Sequence, residues 1–251
     1  MGTFSGDSLR KGPVLEGGAV TKPPQPPLSE AQEDYLKQIL LLGGGERLED
    51  TLSVSTQALA DRMEIKPASV TGMLKKLAEL GLVEYEAYRG VRLTEAGYQV
   101  ALEVLRHHRL LEAYLHQALG YGWEEVHAEA ERLEHHISED FEARIAEWLG
   151  HPSHDPHGDP IPTVELQLPQ DAPTKPLAAL AAGERGRVAR VFTQDHDTLN
   201  LLAHLHLHPG VAIQVLERSG EGVRIALWQE GLNERFLLPP SLAQVVWVNV
   251  F

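Results

Sequence analysis

KPASVTGMLKKLAELGLVEYEAYRGVRLTEAG, residues Lys66 to Gly97, decides the fold. Pro67 suits a first helical position, because the N–H it lacks is one that a helix start leaves unpaired anyway. Val70, Leu74 and Leu77 then recur at helical spacing as far as Leu80, and Gly81 ends the helix. Just upstream, Ser55-Thr56 precede a short helical segment, Gln57 to Arg62, with Ala58, Leu59 and Met63 apolar. The two helices meet at a break, Glu64-Ile65-Lys66, which is the helix-turn-helix pattern. Downstream, Leu82 to Glu86 and Val91 to Leu93 read as strands around Tyr88-Arg89-Gly90. A hairpin in that place makes the unit a winged helix-turn-helix.

Working outward, Ser29-Glu30-Ala31-Gln32 fits a capping box, and Tyr35, Leu36, Ile39 and Leu40 continue it as a helix that Gly43-Gly44-Gly45 stops. Residues 1–28 are rich in Gly, Pro and Ser and have no period, the composition of a disordered tail. Thr94 caps a long amphipathic helix running to about Leu119, with Gly120 past its end. Another helix starts near Trp123 and carries Val126, Ala130, Leu133 and Ile137 on its apolar face. Ser138 caps a last one, which ends at Leu149-Gly150. In residues 151–176 Pro and Gly punctuation forbids regular structure, so they are a linker. Beyond it Val188 to Phe192, Val211 to Leu216, Val223 to Trp228, Arg235 to Leu238 and Gln244 to Val250 look like strands, with a short helical piece at Asp197 to Ala203. That is a small β-barrel. The expected class is mainly α with a small β domain: a tail to residue 28, a winged unit over 29–93, a helical unit over 94–150, a linker over 151–176 and a barrel over 177–251.

The 251 residues carry Lys+Arg 22 against Asp+Glu 36, a net charge of −14. This argues against a generally basic nucleic-acid coat protein but leaves room for a local basic face. There is no Cys, which excludes disulfides, Fe–S clusters, thiolate zinc sites and cysteine nucleophiles. No apolar run is long enough for a membrane helix and the N-terminus has no apolar signal core, so a cytoplasmic protein without membrane partners is expected.

Two constellations carry chemistry. The second helix of the helix-turn-helix presents Pro67, Ala68, Ser69, Thr71 and Gly72 near its N-terminal end. Small and hydroxylic side chains let such a helix approach the floor of the major groove, while Lys75 and Lys76 can hold phosphates. Tyr88 and Arg89 stand at the tip of the wing. The plain alternative, a helical hairpin that only packs, does not account for the wing. The second constellation is His127, Glu131, Glu134 and His135, which fall on one face of a helix at about 100° per residue. Such a stripe repels itself unless a cation sits in it. His108 and Glu112, on the preceding helix, can close on the same ion. The spacing is not HExxH, which disfavours a zincin protease. The remaining histidines, His151, His154 and His157 in the linker and the alternating His204, His206 and His208, read as structural or solvent-exposed.

These motifs resemble the diphtheria toxin repressor family, and most of all its manganese transport regulator branch. The stretches that carry the resemblance are Glu33 to Leu40, Lys66 to Gly97, Arg106 to Leu115, and Val126 to Ile137 followed by Gly158 to Pro162. The resemblance implies a homodimeric metal-dependent transcriptional regulator, most simply a repressor of metal-uptake genes. It would have a helical metal-binding and dimerisation domain and an SH3-like, FeoA-like barrel, and double-stranded operator DNA would be its partner. Carried over residue by residue, it implies a primary site of Asp34, Glu131, Glu134 and His135 and an ancillary site of His108, Glu112 and His127. Iron-type members have Met and Cys at the positions of Asp34 and Glu131. Hard oxygens at both suit Mn²⁺, with Fe²⁺ and other divalent transition ions as alternatives. Two-domain manganese regulators have a carboxylate where this chain has Lys37, which argues against a two-manganese cluster and for an ancillary ion held partly by the barrel, with ligands from around Asp195 to Asp197.

An iron-responsive regulator of the same family is the nearest rival. A metal-dependent hydrolase with an accessory winged domain would need an open coordination site and a base beside it, and no such base stands out. A metal-independent winged regulator sensing a small molecule is the third. The reading preferred over these is therefore a regulator and not an enzyme.

Overall fold

The computed structural model describes residues 28–44, 47–227 and 234–251. Residues 1–27 of the expected tail, Gly45 of the glycine stop and Trp228 of a barrel strand lie outside the described residues.

The chain opens with α1 (Glu30–Gly43), where the backbone N–H of Ser29 donates to Gln32 Oε1 at 2.9 Å, as the capping box requires. α2 (Thr56–Arg62) and α3 (Pro67–Glu79) form the helix-turn-helix, and Ser55 Oγ accepts from Ala58 N at the start of the first. β1 (Val83–Glu86) and β2 (Gly90–Leu93) form the wing, in register from Val83↔Leu93 to Glu86↔Gly90. α4 (Glu95–Leu119) is capped by Thr94 and ends on Gly120 in the left-handed conformation. Leu36, Leu59, Leu74, Val91 and Leu102 share one core, so the first half of α4 belongs to the winged unit. Truncating a fully buried residue such as Leu74 to Ala would cost roughly 2–5 kcal/mol.

The second half of α4 packs with α5 (Val126–Leu133) and α6 (Glu139–Trp148) around Leu110, Leu111, Val126 and Ile145. α5 is shorter at both ends than its sequence suggests. It starts at Val126 rather than near Trp123, and it stops at Leu133, with Glu134 and His135 in the turn that follows. Trp123 is buried instead in the core of the barrel, where it helps to dock the helical unit.

The linker is not wholly irregular. His154 and Pro160 form an isolated bridge, and its last two residues are β3 (Lys175–Pro176). The barrel continues with β4 (Arg185–Val191), α7 (His196–His204), β5 (Ala212–Ser219), β6 (Gly222–Leu227), β7 (Arg235–Leu238), α8 (Pro240–Val245) and β8 (Val246–Val250). The antiparallel sheet runs β3-β8-β4-β5-β6-β7. The expected strand from Gln244 thus begins inside α8, because Pro240 starts a helix that persists to Val245. His204, His206 and His208 are exposed as expected, but not on an extended segment: they occupy the end of α7 and the turn after it. No helix is long and apolar enough to cross a membrane among the described residues.

One glycine positions the linker. Gly158 has φ +85° and lies so close to the Ala189 carbonyl that a Cβ would collide with it. Only glycine permits this approach, which seats Asp155 and His157 between the helical unit and the barrel.

Candidate metal centre

Residues from four parts of the chain converge beside α4. From α1 come Glu33, Asp34 and Lys37; from α4, His108 and Glu112. α5 and its following turn supply His127, Glu131, Glu134 and His135, and the linker supplies Asp155 and His157.

The residues fall into three adjoining groups rather than one stripe. In the first, His135 Nε2 stands 3.0 Å from Asp34 Oδ1 and 3.3 Å from Glu134 Oε1, with its Nδ1 2.6 Å from Glu33 Oε2. In the second, His108 Nε2 lies 3.0 Å from both Glu112 Oε1 and His127 Nδ1, and His127 Nε2 is 3.8 Å from Glu131 Oε1. In the third, His157 Nδ1 is 3.5 Å from Glu112 Oε2, while its Nε2–H donates to the Trp123 carbonyl at 2.7 Å. α5 ends at Leu133, but Glu134 keeps the right-handed helical conformation with its N–H on the Ala130 carbonyl, so His127, Glu131 and Glu134 hold the expected helical spacing and His135 follows in the turn. Glu131 and Glu134 both reach Lys37 of α1, His135 reaches Asp34 of α1, and His127 faces His108 and Glu112 of α4. Glu134 bridges the groups: its Oε2 is 2.6 Å from His108 Nδ1.

Three conditions fit a divalent cation. In each of the trios Asp34, Glu134 and His135; His108, His127 and Glu131; and Glu112, Asp155 and His157, one ligand atom per residue lies within 4.8 Å of the others. The donors are carboxylate oxygens and imidazole nitrogens. And Asp155 Oδ2 is buried without a hydrogen-bond partner, with Arg109 Nε no nearer than 3.9 Å. A buried carboxylate oxygen in that position is costly unless a cation takes it.

The electrostatics agree. Burial, reinforced by Asp159 and Glu112, raises the Asp155 carboxyl well above the usual range. Burial alone would lower the His108 pKa, but Glu112 and Glu134 outweigh it and push His108 up to about 10. In the same way Glu112 and Asp155 overcome burial and push His157 up to about 9. Burial opposes ionisation of Glu112, yet His108, His127 and His157 hold it well below its ordinary value. Burial raises Asp34, and His135 and Lys37 only partly offset this. Protons on imidazoles and the Lys37 ammonium thus supply the positive charge among these carboxylates.

Sequence reasoning missed Glu33, Asp155 and His157 as members of the cluster, and it set His157 aside as structural or exposed. Its one signal was the local density of Asp, His, Pro and Gly over 154–159. It also looked for barrel ligands at Asp195 to Asp197. Asp195 instead caps α7, accepting from Thr198 N at 2.9 Å, and both aspartates are exposed. The barrel faces the centre through Thr193 and Gln194, which line a cavity of about 320 Å³ together with Lys37, Glu112 and Glu131. Gln194 Oε1 accepts from Arg62, which also donates to Gln38 Oε1 at 3.0 Å, so the barrel touches the helix-turn-helix.

The expected DNA-contacting residues are also brought together. On α3, Ala68, Ser69, Gly72, Lys75 and Lys76 are exposed on the face opposite buried Val70, Leu74 and Leu77, with Pro67 exposed at its edge. Thr71 is half-buried and its hydroxyl donates to the Pro67 carbonyl at 3.1 Å. Arg89 pairs with Glu86 at 3.0 Å on the wing, next to fully exposed Tyr88.

Residues 27–91 match the family profile described as the iron dependent repressor N-terminal DNA binding domain, residues 94–163 its metal binding and dimerisation domain, and residues 175–250 the FeoA domain. The chain is 33% identical over 233 residues to the iron-dependent repressor IdeR of Mycobacterium tuberculosis, covering 88% of this chain and 98% of that one. It is 34% identical over 122 residues to the transcriptional regulator MntR of Lysinibacillus sphaericus, 47% of this chain and 81% of that one. A solved structure of a manganese-dependent transcriptional repressor in complex with manganese superposes with a TM-score of 0.78 at 36% identity, covering 88% of this chain and all of that chain.

Proposed function

The chain belongs to the iron-dependent repressor family of metal-dependent DNA-binding transcriptional repressors, diphtheria toxin repressor and MntR types included, and within it we propose a homodimeric regulator of metal homeostasis whose effector is Mn²⁺. As with its relatives, the activity is regulation and not enzymatic catalysis. The observation that carries the manganese reading is the trio Asp34, Glu134 and His135, with Glu131 beside it: hard oxygens and imidazole, and no sulfur. His108, Glu112 and His127, joined by Asp155 and His157, would form the ancillary site. The iron reading stands as the alternative because the full-length relative named above is an iron-dependent repressor.

An ion bound at the first trio supplies a doubly charged centre that carboxylates of two separate elements can share. Asp34 sits on α1, whereas Glu134 and His135 follow α5. When these side chains close on a common centre, α1 is held against the helical unit. Tyr35, Leu36, Ile39 and Leu40 of α1 are buried in the core that also seats α3. Fixing α1 therefore fixes the direction of the recognition helix. In a dimer two such helices can enter successive major grooves about 34 Å apart. The exposed rings of Phe141 and Trp148 on α6, the latter edge-on to Tyr114 with centroids 5.6 Å apart, offer an apolar face for the second copy.

The test is operator binding by metal-free protein titrated separately with Mn²⁺ and, anaerobically, with Fe²⁺. The proposal expects half-maximal binding at lower Mn²⁺ than Fe²⁺. Equal or better activation by Fe²⁺ would favour the iron reading, and full binding without metal would overturn both.

A further inference from the structure

Lys37 lies three residues beyond Asp34 on α1, and its side chain is 1% exposed. Its ammonium is 2.8 Å from Glu131 Oε1 and also donates to Glu134 Oε1. Those two carboxylates belong to different groups: Glu134 stands with Asp34 and His135, Glu131 with His108 and His127. The ammonium is thus a buried positive charge tethered on the border of both groups. Glu134 is fully engaged, because its other oxygen meets His108 Nδ1 at 2.6 Å. An ion drawn into the Asp34 group must therefore take Glu134 from a partner that is already there.

Resting on the reading of that trio as the effector site, we propose that Lys37 is a built-in competitor cation that sets the metal concentration at which the protein responds. In the metal-free protein the ammonium shares its single positive charge between Glu131 and buried Glu134, and a buried carboxylate that loses such a partner strongly destabilises the fold. When metal is taken up, the same ammonium faces a divalent charge a few ångströms away, in surroundings where like charges repel much more than in water. Both effects lower metal affinity. An uncharged side chain at position 37 removes both. The tether also keeps α1 attached to α5 before metal arrives, beside the Asp34 to His135 contact already in place.

The experiment measures Mn²⁺ affinity without DNA, by competition with a fluorescent chelator, for wild type, Lys37→Gln, Lys37→Met and Lys37→Arg. Removing the charge should tighten Mn²⁺ binding by at least about tenfold in both neutral variants, while Lys37→Arg stays near wild type. Unchanged or weaker affinity in the neutral variants overturns the proposal, as does equal tightening by Lys37→Arg, which would assign the effect to shape. Asp34→Ala separates the two readings. If it binds Mn²⁺ normally, the site assignment has failed; if it loses Mn²⁺ while the Lys37 variants do not tighten, only the competitor has failed. Should the neutral variants not fold, the wild type itself decides. The ¹³C resonance of the Lys37 ε-methylene should shift on addition of diamagnetic Cd²⁺, and a resonance unmoved at saturation overturns the proposal.

Discussion

His135 Nε2 stands 3.0 Å from Asp34 Oδ1, across 101 residues of chain. The contact joins the helix that packs under the helix-turn-helix to the turn that closes α5. A single ion shared by these side chains would couple the helical unit to the DNA-reading unit directly.

Replacing Asp34 or Glu134 by Ala should therefore abolish Mn²⁺-activated operator binding while leaving the fold intact. A hard cation held by few carboxylates loses a major part of its binding charge with any one of them, and a loss of at least about tenfold in the Mn²⁺ response is expected. Fluorescence anisotropy of labelled operator at limiting Mn²⁺, with circular dichroism as the folding control, checks it. Normal binding by either variant would refute the site.

Metal binding should release protons. His108 at about 10 and His157 at about 9 are protonated in the metal-free protein at neutral pH, and a nitrogen that ligates must give up its proton. Mn²⁺ affinity should thus fall as pH drops, by up to about tenfold per pH unit for each proton displaced. Calorimetry in buffers of different ionisation enthalpy counts the protons. For stability of the metal-free fold the sign is opposite at the alkaline end. Both histidines have folded pKa values above the ordinary 6.5, so their contribution is complete below 6.5 and is lost as pH rises through 9 to 10. Glu112, held low, contributes above the ordinary 4.5 and loses that contribution only in acid. Thermal melting of chelator-treated protein should decline from pH 7 to pH 10; a flat profile would contradict the charge arrangement.

Exchanging Asp34 for Met and Glu131 for Cys should move the response toward Fe²⁺, because softer ligands alter the ranking of divalent metals. Anaerobic DNA-binding titrations with each metal measure the ratio. No change in it would count against ligand hardness as the basis of selection.

On α3 the roles of neighbouring residues should separate. Removing Lys75 or Lys76, both exposed, should weaken binding to all sequences and reduce the slope of log affinity against log salt by about 1 for each phosphate that is no longer neutralised. Ser69→Ala should alter preference among operators with little change of slope. Thr71→Val should change binding by only a few fold, because its hydroxyl already donates to the Pro67 carbonyl. An unchanged slope in both lysine variants would mean that the helix docks by another face.

Much of this protein follows from signals that act within one or two turns of chain. Ser29, Ser55, Thr94 and Ser138 start helices, Gly120 ends the long one, and the periodic leucines between Pro67 and Leu80 bury one face. These are local because a cap or a stop needs only the backbone groups beside it. The ligand types, the absence of thiol and the basic face of α3 are equally legible.

What lay beyond the sequence was convergence. Periodicity kept Glu134 and His135 on α5; the helix ends at Leu133, and across 101 residues of chain the fold sets His135 3.0 Å from Asp34. Asp155 and His157 looked like linker until Gly158 pressed that segment onto the barrel at Ala189 and put them against Glu112. Asp195 looked like a ligand and became a helix cap, while Gln194 beside it faces the centre. Lys37 stood out as a departure, but its burial between two glutamates depends on α1 lying across the end of α5. Each of these outcomes is set by packing among segments up to about a hundred residues apart. Only the packed fold brings such segments together, because burying an apolar face does not depend on how far apart in sequence its partners lie.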